Sequence, residues 1–131
     1  MSPRLMVIDD DAGIAKVMGL AATQIGMKFL TVDDPVEAIE RYTEYRPDIV
    51  VLDMIMPGKD GIDVLRDILR TGIPSKIVLT SGFGETYLRL ARGLAAFYGA
   101  AEPVLLPKPF RRQELIDVLT SLASAATPAG A

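Results

Sequence analysis

A chain of 131 residues, half of them hydrophobic and about a quarter charged, has room for one domain with one core of ordinary size. It contains no cysteine and no histidine, which excludes disulfides, thiolate zinc sites, cysteine nucleophiles, Ser-His-Asp triads, histidine metal sites and a phosphohistidine on this chain. Its net charge is −3 and it has no basic run, so nucleic-acid binding by this chain alone is not expected.

The first apolar run, Leu5–Ile8, reads as a strand. It is too short for a signal-peptide core and meets Asp9, Asp10 and Asp11 at once, so a cytoplasmic location is expected. No apolar stretch reaches the roughly 18 residues of a membrane span. A helix follows, capped by Asp11 and stopped near Gly26, with Ile14, Val17, Met18, Ala21 and Ile25 on one face as core. The second strand is Phe29–Val32, ending at Asp33 and Asp34. Asp34-Pro35-Val36-Glu37 then places a capping carboxylate, a proline at the first helical position and a glutamate at the third.

Ile49–Leu52 is the third strand, with Asp53 just past its end. Asp60 caps a third helix whose Leu65, Ile68 and Leu69 face inward and which stops near Gly72. Ile77–Thr80 is the fourth strand, followed by Ser81 and Gly82. In the segment after it, Leu88, Leu90 and Leu94, together with Leu105, suit either the core or an apolar homodimer face. Val104–Leu106 is the fifth strand, leading into Lys108, Pro109 and Phe110. Leu115, Val118, Leu119 and Leu122 mark the inner face of the last helix. The domain is expected over residues 1–123, with 124–131 a flexible tail or linker stub.

Continuous apolar runs of this length suit parallel strands buried on both faces. Five of them alternating with five helices predict an α/β fold: a doubly wound, five-stranded parallel sheet in a (βα)5 three-layer sandwich of the flavodoxin-like kind. Such sheets place their working site at the carboxyl ends of the strands. Those ends carry Asp9, Asp10, Asp11, Asp53, Thr80, Ser81 and Lys108. Several carboxylates brought together repel one another, and a hard divalent cation with oxygen ligands, Mg²⁺, relieves that repulsion. A carboxylate so placed can attack phosphorus to give an aspartyl phosphate, while an ammonium and a hydroxyl meet the anionic oxygens. Each feature alone has an ordinary explanation, the acidic turn as a solvated loop, Ser81-Gly82 as a turn, Lys108 as a solvent-exposed cation. Their conjunction at matching strand ends is far more specific.

These residues resemble the receiver domain of two-component response regulators over about residues 3–123. Three blocks carry the resemblance: Val7-Ile8-Asp9-Asp10-Asp11; Asp48 to Gly61, which contains the D-x-x-M-P-x-x-D-G pattern from Asp53; and Lys108-Pro109-Phe110. The resemblance implies that Asp53 is the phosphoacceptor, that Asp9 and Asp10 hold Mg²⁺ with Asp10 the more direct ligand, and that Ile55 lends its backbone carbonyl. It implies Ser81 as the switch hydroxyl, with Thr80 second, and Lys108 as the partner of the phosphate, joined to Pro109 by a cis bond. Two features depart from the family. Leu105 stands where an aromatic is usual, leaving Tyr98, Phe97 or Phe83 to substitute, and Ala96–Pro103 is a long connection, which points to a shifted or irregular fourth helix.

The implied function is a signalling switch. A histidine kinase or phosphotransfer protein donates in trans, the surface of helix four, strand five and helix five reshapes, and the acyl phosphate slowly hydrolyses. The chain suits a stand-alone receiver or one excised from a hybrid kinase or larger regulator. A haloacid-dehalogenase-like phosphatase would need a second aspartate where Ile55 stands. A flavodoxin-like binding module would need a hydroxyl- and glycine-rich first loop where three aspartates stand, and a degenerate receiver would lack acids that are present.

Overall fold

A computed structural model describes residues 2–82 and 85–126. Five strands, β1 (Arg4–Ile8), β2 (Lys28–Val32), β3 (Ile49–Asp53), β4 (Lys76–Ser81) and β5 (Val104–Pro107), form one parallel sheet in the order β2-β1-β3-β4-β5. Five helices connect and follow them: α1 (Ala12–Thr23), α2 (Ala38–Tyr45), α3 (Gly61–Arg70), α4 (Glu85–Phe97) and α5 (Arg112–Ala126). The order reverses direction at β1, so the carboxyl ends of β1 and β3 flank the crevice such sheets use.

The central strands β1, β3 and β4 are buried on both faces, and alternation along them divides the core in two. Leu5, Val7, Val51, Val78 and Leu106 pack with Met18, Ala22, Leu115 and Leu119 on the α1–α5 side. Met6, Ile8, Val50, Leu52 and Leu79 pack with Tyr42, Leu65, Ile68 and Ala91 on the other. Tyr42 is fully buried there, and its hydroxyl donates to the Ile73 carbonyl at 2.6 Å. Among the described residues, no helix is long and apolar enough to cross a membrane.

The helix caps form as their residue types dictate. The Asp11 carboxylate accepts from the Ile14 amide at 3.0 Å, and that of Asp60 from the Ile62 amide at 2.7 Å. Past α1 and α3 the chain turns through Gly26 and Gly72, both at positive φ, which glycine adopts without steric cost.

Several expectations need correction. Ile14 and Val17 are not core: they are 44% and 62% exposed, and only Met18 and Ala21 of that stripe are buried. The sheet face under α1 is already covered by Met18, Ala21 and Ala22, leaving the N-terminal part of the stripe over a groove between α1 and α5. The capping signature at Asp34 starts a single 3-10 turn over Pro35–Glu37, where the Asp34 carboxylate accepts from the Val36 amide, and α2 begins only at Ala38. The fourth helix is one unbroken stretch, Glu85–Phe97, and the long connection is taken up after it. Leu88, Leu94 and Leu105 are partly buried against the core, while Leu90 is 53% exposed. Helix α5 continues to Ala126, past the boundary expected at 123, and residues 127–131 lie outside the described ones.

Candidate functional site

The site is built from the ends of β1, β3, β4 and β5. Asp53 is the last residue of β3 and Ser81 the last of β4, each strand running one residue further than expected. Strand geometry, rather than loop geometry, therefore fixes both. Asp9 follows β1 directly, held to β2 by its amide bond to the Val32 carbonyl at 3.1 Å. Lys108 follows β5, and its amide donates to the Ser81 carbonyl at 3.0 Å.

Three of the expected residues meet closely. The Lys108 Nζ lies 3.4 Å from Asp53 Oδ2 and 3.6 Å from Asp9 Oδ2. Both acids are buried, at 4% and 1% exposure, while Asp10 is exposed. One carboxylate oxygen each from Asp9, Asp10 and Asp53 falls within 4.8 Å of the others. The remaining lone pairs are apportioned by the backbone. The Asp9 Oδ1 accepts from the Asp11 amide at 2.9 Å, and the Asp53 Oδ1 from the Ile55 amide at 3.1 Å. The Asp9 Oδ2 is buried with no hydrogen-bond partner. A buried carboxylate oxygen that faces the Lys108 ammonium at 3.6 Å without a hydrogen bond, beside two further carboxylates, is a donor set that fits a hard divalent cation.

Burial raises the Asp53 pKa above the ordinary carboxylate value. The Ile55 amide and the Lys108 ammonium oppose the rise, and the Asp9 charge adds to it. Desolvation is the largest cause and wins.

The segment from Met54 to Asp60 must fold back over the acceptor strand, and Gly61 sets how closely. A Cβ at Gly61 would lie 2.5 Å from the Met54 Cα and 2.7 Å from the Asp53 carbonyl oxygen. The Gly61 amide bonds the Met54 carbonyl at 3.1 Å across that contact, and Lys59 pairs with Asp67 of α3 to pin the turn. The sequence showed Gly61 only as part of the motif. The signal that could have singled it out is a glycine directly after the helix-capping Asp60.

Thr80 and Ser81 are both buried. Thr80 pairs in register with Asp53, and its Oγ1 has no hydrogen-bond partner. Ile55 is 45% exposed beside Asp53. Two of the proposed aromatic substitutes are elsewhere. Phe97 and Tyr98 stack edge to face at the end of α4, and the Tyr98 hydroxyl accepts from Arg70 Nε at 3.2 Å, at the opposite end of the sheet. Phe83 lies outside the described residues. Leu105 itself is partly buried against the core.

Comparison with known proteins agrees with this architecture. The family model described as "Response regulator receiver domain" matches residues 5–120. The DNA-binding response regulator MtrA of Mycobacterium leprae (strain TN) is 34% identical over 116 residues, which is 88% of this chain and 49% of that protein. The response regulator MprA of Mycobacterium sp. (strain KMS) is 34% identical over 128 residues, 98% of this chain and 54% of its own length. The chain thus spans about half the length of these curated relatives. Among solved structures, the receiver domain of Francisella response regulator 1452 superposes with a TM-score of 0.78 at 25% identity, covering 96% of this chain and all of that one. The signal receiver domain of a putative LuxO repressor protein from Vibrio parahaemolyticus shares the fold, with a TM-score of 0.80 at 21% identity over 96% and 93% of the two chains.

Proposed function

This chain belongs to the response regulator receiver family of two-component systems, and from that premise we propose that Asp53 accepts a phosphoryl group from a histidine kinase or histidine phosphotransfer protein. The observation that carries this reading is the Lys108 ammonium standing between Asp9 and Asp53, with oxygens of Asp9, Asp10 and Asp53 gathered within 4.8 Å. Asp9, Asp10, Asp53 and the backbone carbonyl of Ile55 are the ligands assigned to Mg²⁺. When bound, the cation neutralises the acids and the phosphoryl oxygens.

The chain's own groups do the rest. The Ile55 amide holds Asp53 Oδ1, fixing the carboxylate's orientation for attack. An Asp53 oxygen bonds to phosphorus as the donor's N–P bond breaks, and the freed imidazole takes the electron pair. Lys108 moves its charge to the new phosphoryl oxygens, and a hydroxyl at the end of β4 donates to them, Thr80 being the one in register with Asp53. The added charge of about −1.5 to −2 redraws the interactions of β4 and β5, and the α4–β5–α5 surface shifts population with it. Hydrolysis by water resets the switch. No metabolic substrate enters this scheme. The output lies outside the receiver fold, in a partner or in a further domain. MtrA is described as DNA-binding, but the chain corresponds to about half of that protein.

Incubation with acetyl phosphate and Mg²⁺, followed by intact-mass measurement, tests the proposal. The expected result is one added phosphoryl mass, absent with a chelator and absent in Asp53→Ala. An unchanged mass with both small donors and a phosphorylated kinase would contradict it.

A further inference from the structure

We propose that Lys59 and Asp67 are positioning residues for the cation site: their ion pair clamps the turn between β3 and α3 so that the Ile55 peptide stays set against Asp53. The inference rests on the Ile55 carbonyl being a Mg²⁺ ligand and extends that reading to the side chains that keep the carbonyl in place.

From Met54 to Gly61 the chain leaves the sheet and returns through a tight neck. The Met54 amide donates to the Thr80 carbonyl at 3.0 Å, and the Gly61 amide to the Met54 carbonyl at 3.1 Å. Beyond the neck the turn is sparsely bonded. Pro57 has no amide hydrogen, and among the described residues the amides of Met56, Gly58, Lys59 and Asp60 make no hydrogen bond. Three contacts hold the turn between its ends. The Ile55 amide donates to Asp53 Oδ1 at 3.1 Å, the Met56 side chain is buried in the core, and the Lys59 ammonium meets the Asp67 carboxylate.

These contacts differ in kind. The Ile55 bond belongs to the acceptor site and changes whenever Asp53 does. Met56 is held by apolar burial, which has no direction. The Lys59–Asp67 pair is directional and charge-assisted, and it lies outside the site. Among the described residues it is the one ion pair that joins this turn to another element. Its side chains are only 29% and 31% exposed, so solvent and salt screen it less than a fully exposed pair. Asp60 caps α3 through the Ile62 amide, and Asp67 takes hold of Lys59 from the next turn of the same helix. The turn is thus tied to a rigid element at two levels. Mg²⁺ demands near-ideal octahedral geometry, and a carbonyl already held in place binds it without the cost of ordering the turn.

Charge at a distance and clamping predict opposite signs at Lys59. If Lys59 acted only through its charge, removing it would tighten Mg²⁺ binding, because like charges repel. If it clamps the turn, removing it weakens binding. The test is a Mg²⁺ titration of the chain followed by the Ile55 and Lys108 amide resonances, with thermal melting to check folding, in wild type, Lys59→Met, Lys59→Arg, Asp67→Asn and the double variant Lys59→Met/Asp67→Asn. Lys59→Met and Asp67→Asn are each expected to bind Mg²⁺ about threefold more weakly, within what a partly exposed ion pair contributes. The double variant is expected to bind no more weakly than either single one. Lys59→Arg, which keeps charge and reach, retains wild-type affinity. Tighter binding in Lys59→Met, losses that add in the double variant, or a lowered melting temperature with wild-type affinity would each overturn the inference. A wild-type chain that binds Mg²⁺ yet takes no phosphoryl group would overturn the acceptor reading and leave the clamp standing. One that binds no Mg²⁺ would overturn the cation assignment and this inference together.

Discussion

At the scale of single residues, the Asp53 carboxylate is held in a place that disfavours its charge. Its pKa in the folded chain lies above the ordinary value, chiefly through burial. The folded state therefore holds that proton more tightly than the unfolded state does. Stability from this group is present below the ordinary carboxylate range and is lost as pH rises from there through the raised pKa. Metal-free Asp53→Asn is thus expected to be more stable than wild type at neutral pH, with the difference vanishing toward about pH 3. Thermal melting across a pH series checks this, and superimposable curves at every pH would refute it. Gly61 supplies a second residue-scale prediction. Gly61→Ala drives a Cβ into the backbone of Met54 and Asp53, and is expected to cost about 1–3 kcal/mol in denaturant unfolding.

At the scale of elements, the central strands β1, β3 and β4 were legible because each is a short apolar run buried on both faces, so composition alone marks it. The caps at Asp11 and Asp60 were legible because a carboxylate at that position has a local job. Helix α1 was read less well. Its periodicity is that of an amphipathic helix, but periodicity does not tell how much of the apolar stripe its neighbours cover. Ile14 and Val17 instead line a groove of about 840 Å³ with Phe110 and Leu115, reaching Lys108 at its rim. The contrast is measurable. Val17→Lys should change unfolding free energy by no more than about 0.5 kcal/mol, whereas Leu119→Ala, fully buried in α5, should cost about 2–5 kcal/mol. Equal losses would place Val17 in the core after all. The unbroken α4 escaped the sequence for a related reason: a long connection can be absorbed beyond a helix as well as within it.

At the scale of the whole molecule, one sheet brings together side chains that are up to about a hundred positions apart in the chain. The topological rule for parallel sheets was enough to name Asp9, Asp10, Asp53 and Lys108 as neighbours before any coordinates, because register puts strand ends at one level. What the rule could not supply was the direction in which each side chain leaves its strand. Alternation along β4 separates Thr80 from Ser81, and a shift of one residue exchanges their faces. The same rule is silent on aromatic partners, and Tyr98 ends beside Arg70 at the far end of the sheet.

The central claim is that this convergence makes Asp53 a phosphoacceptor, and chemical trapping tests it most directly. After exposure to acetyl phosphate and Mg²⁺, borohydride reduces an aspartyl phosphate to homoserine, and peptide mapping then locates it. The account predicts homoserine at position 53 alone, and none when Mg²⁺ is chelated. Homoserine at another aspartate, or none from a folded chain supplied with donor and Mg²⁺, would contradict it.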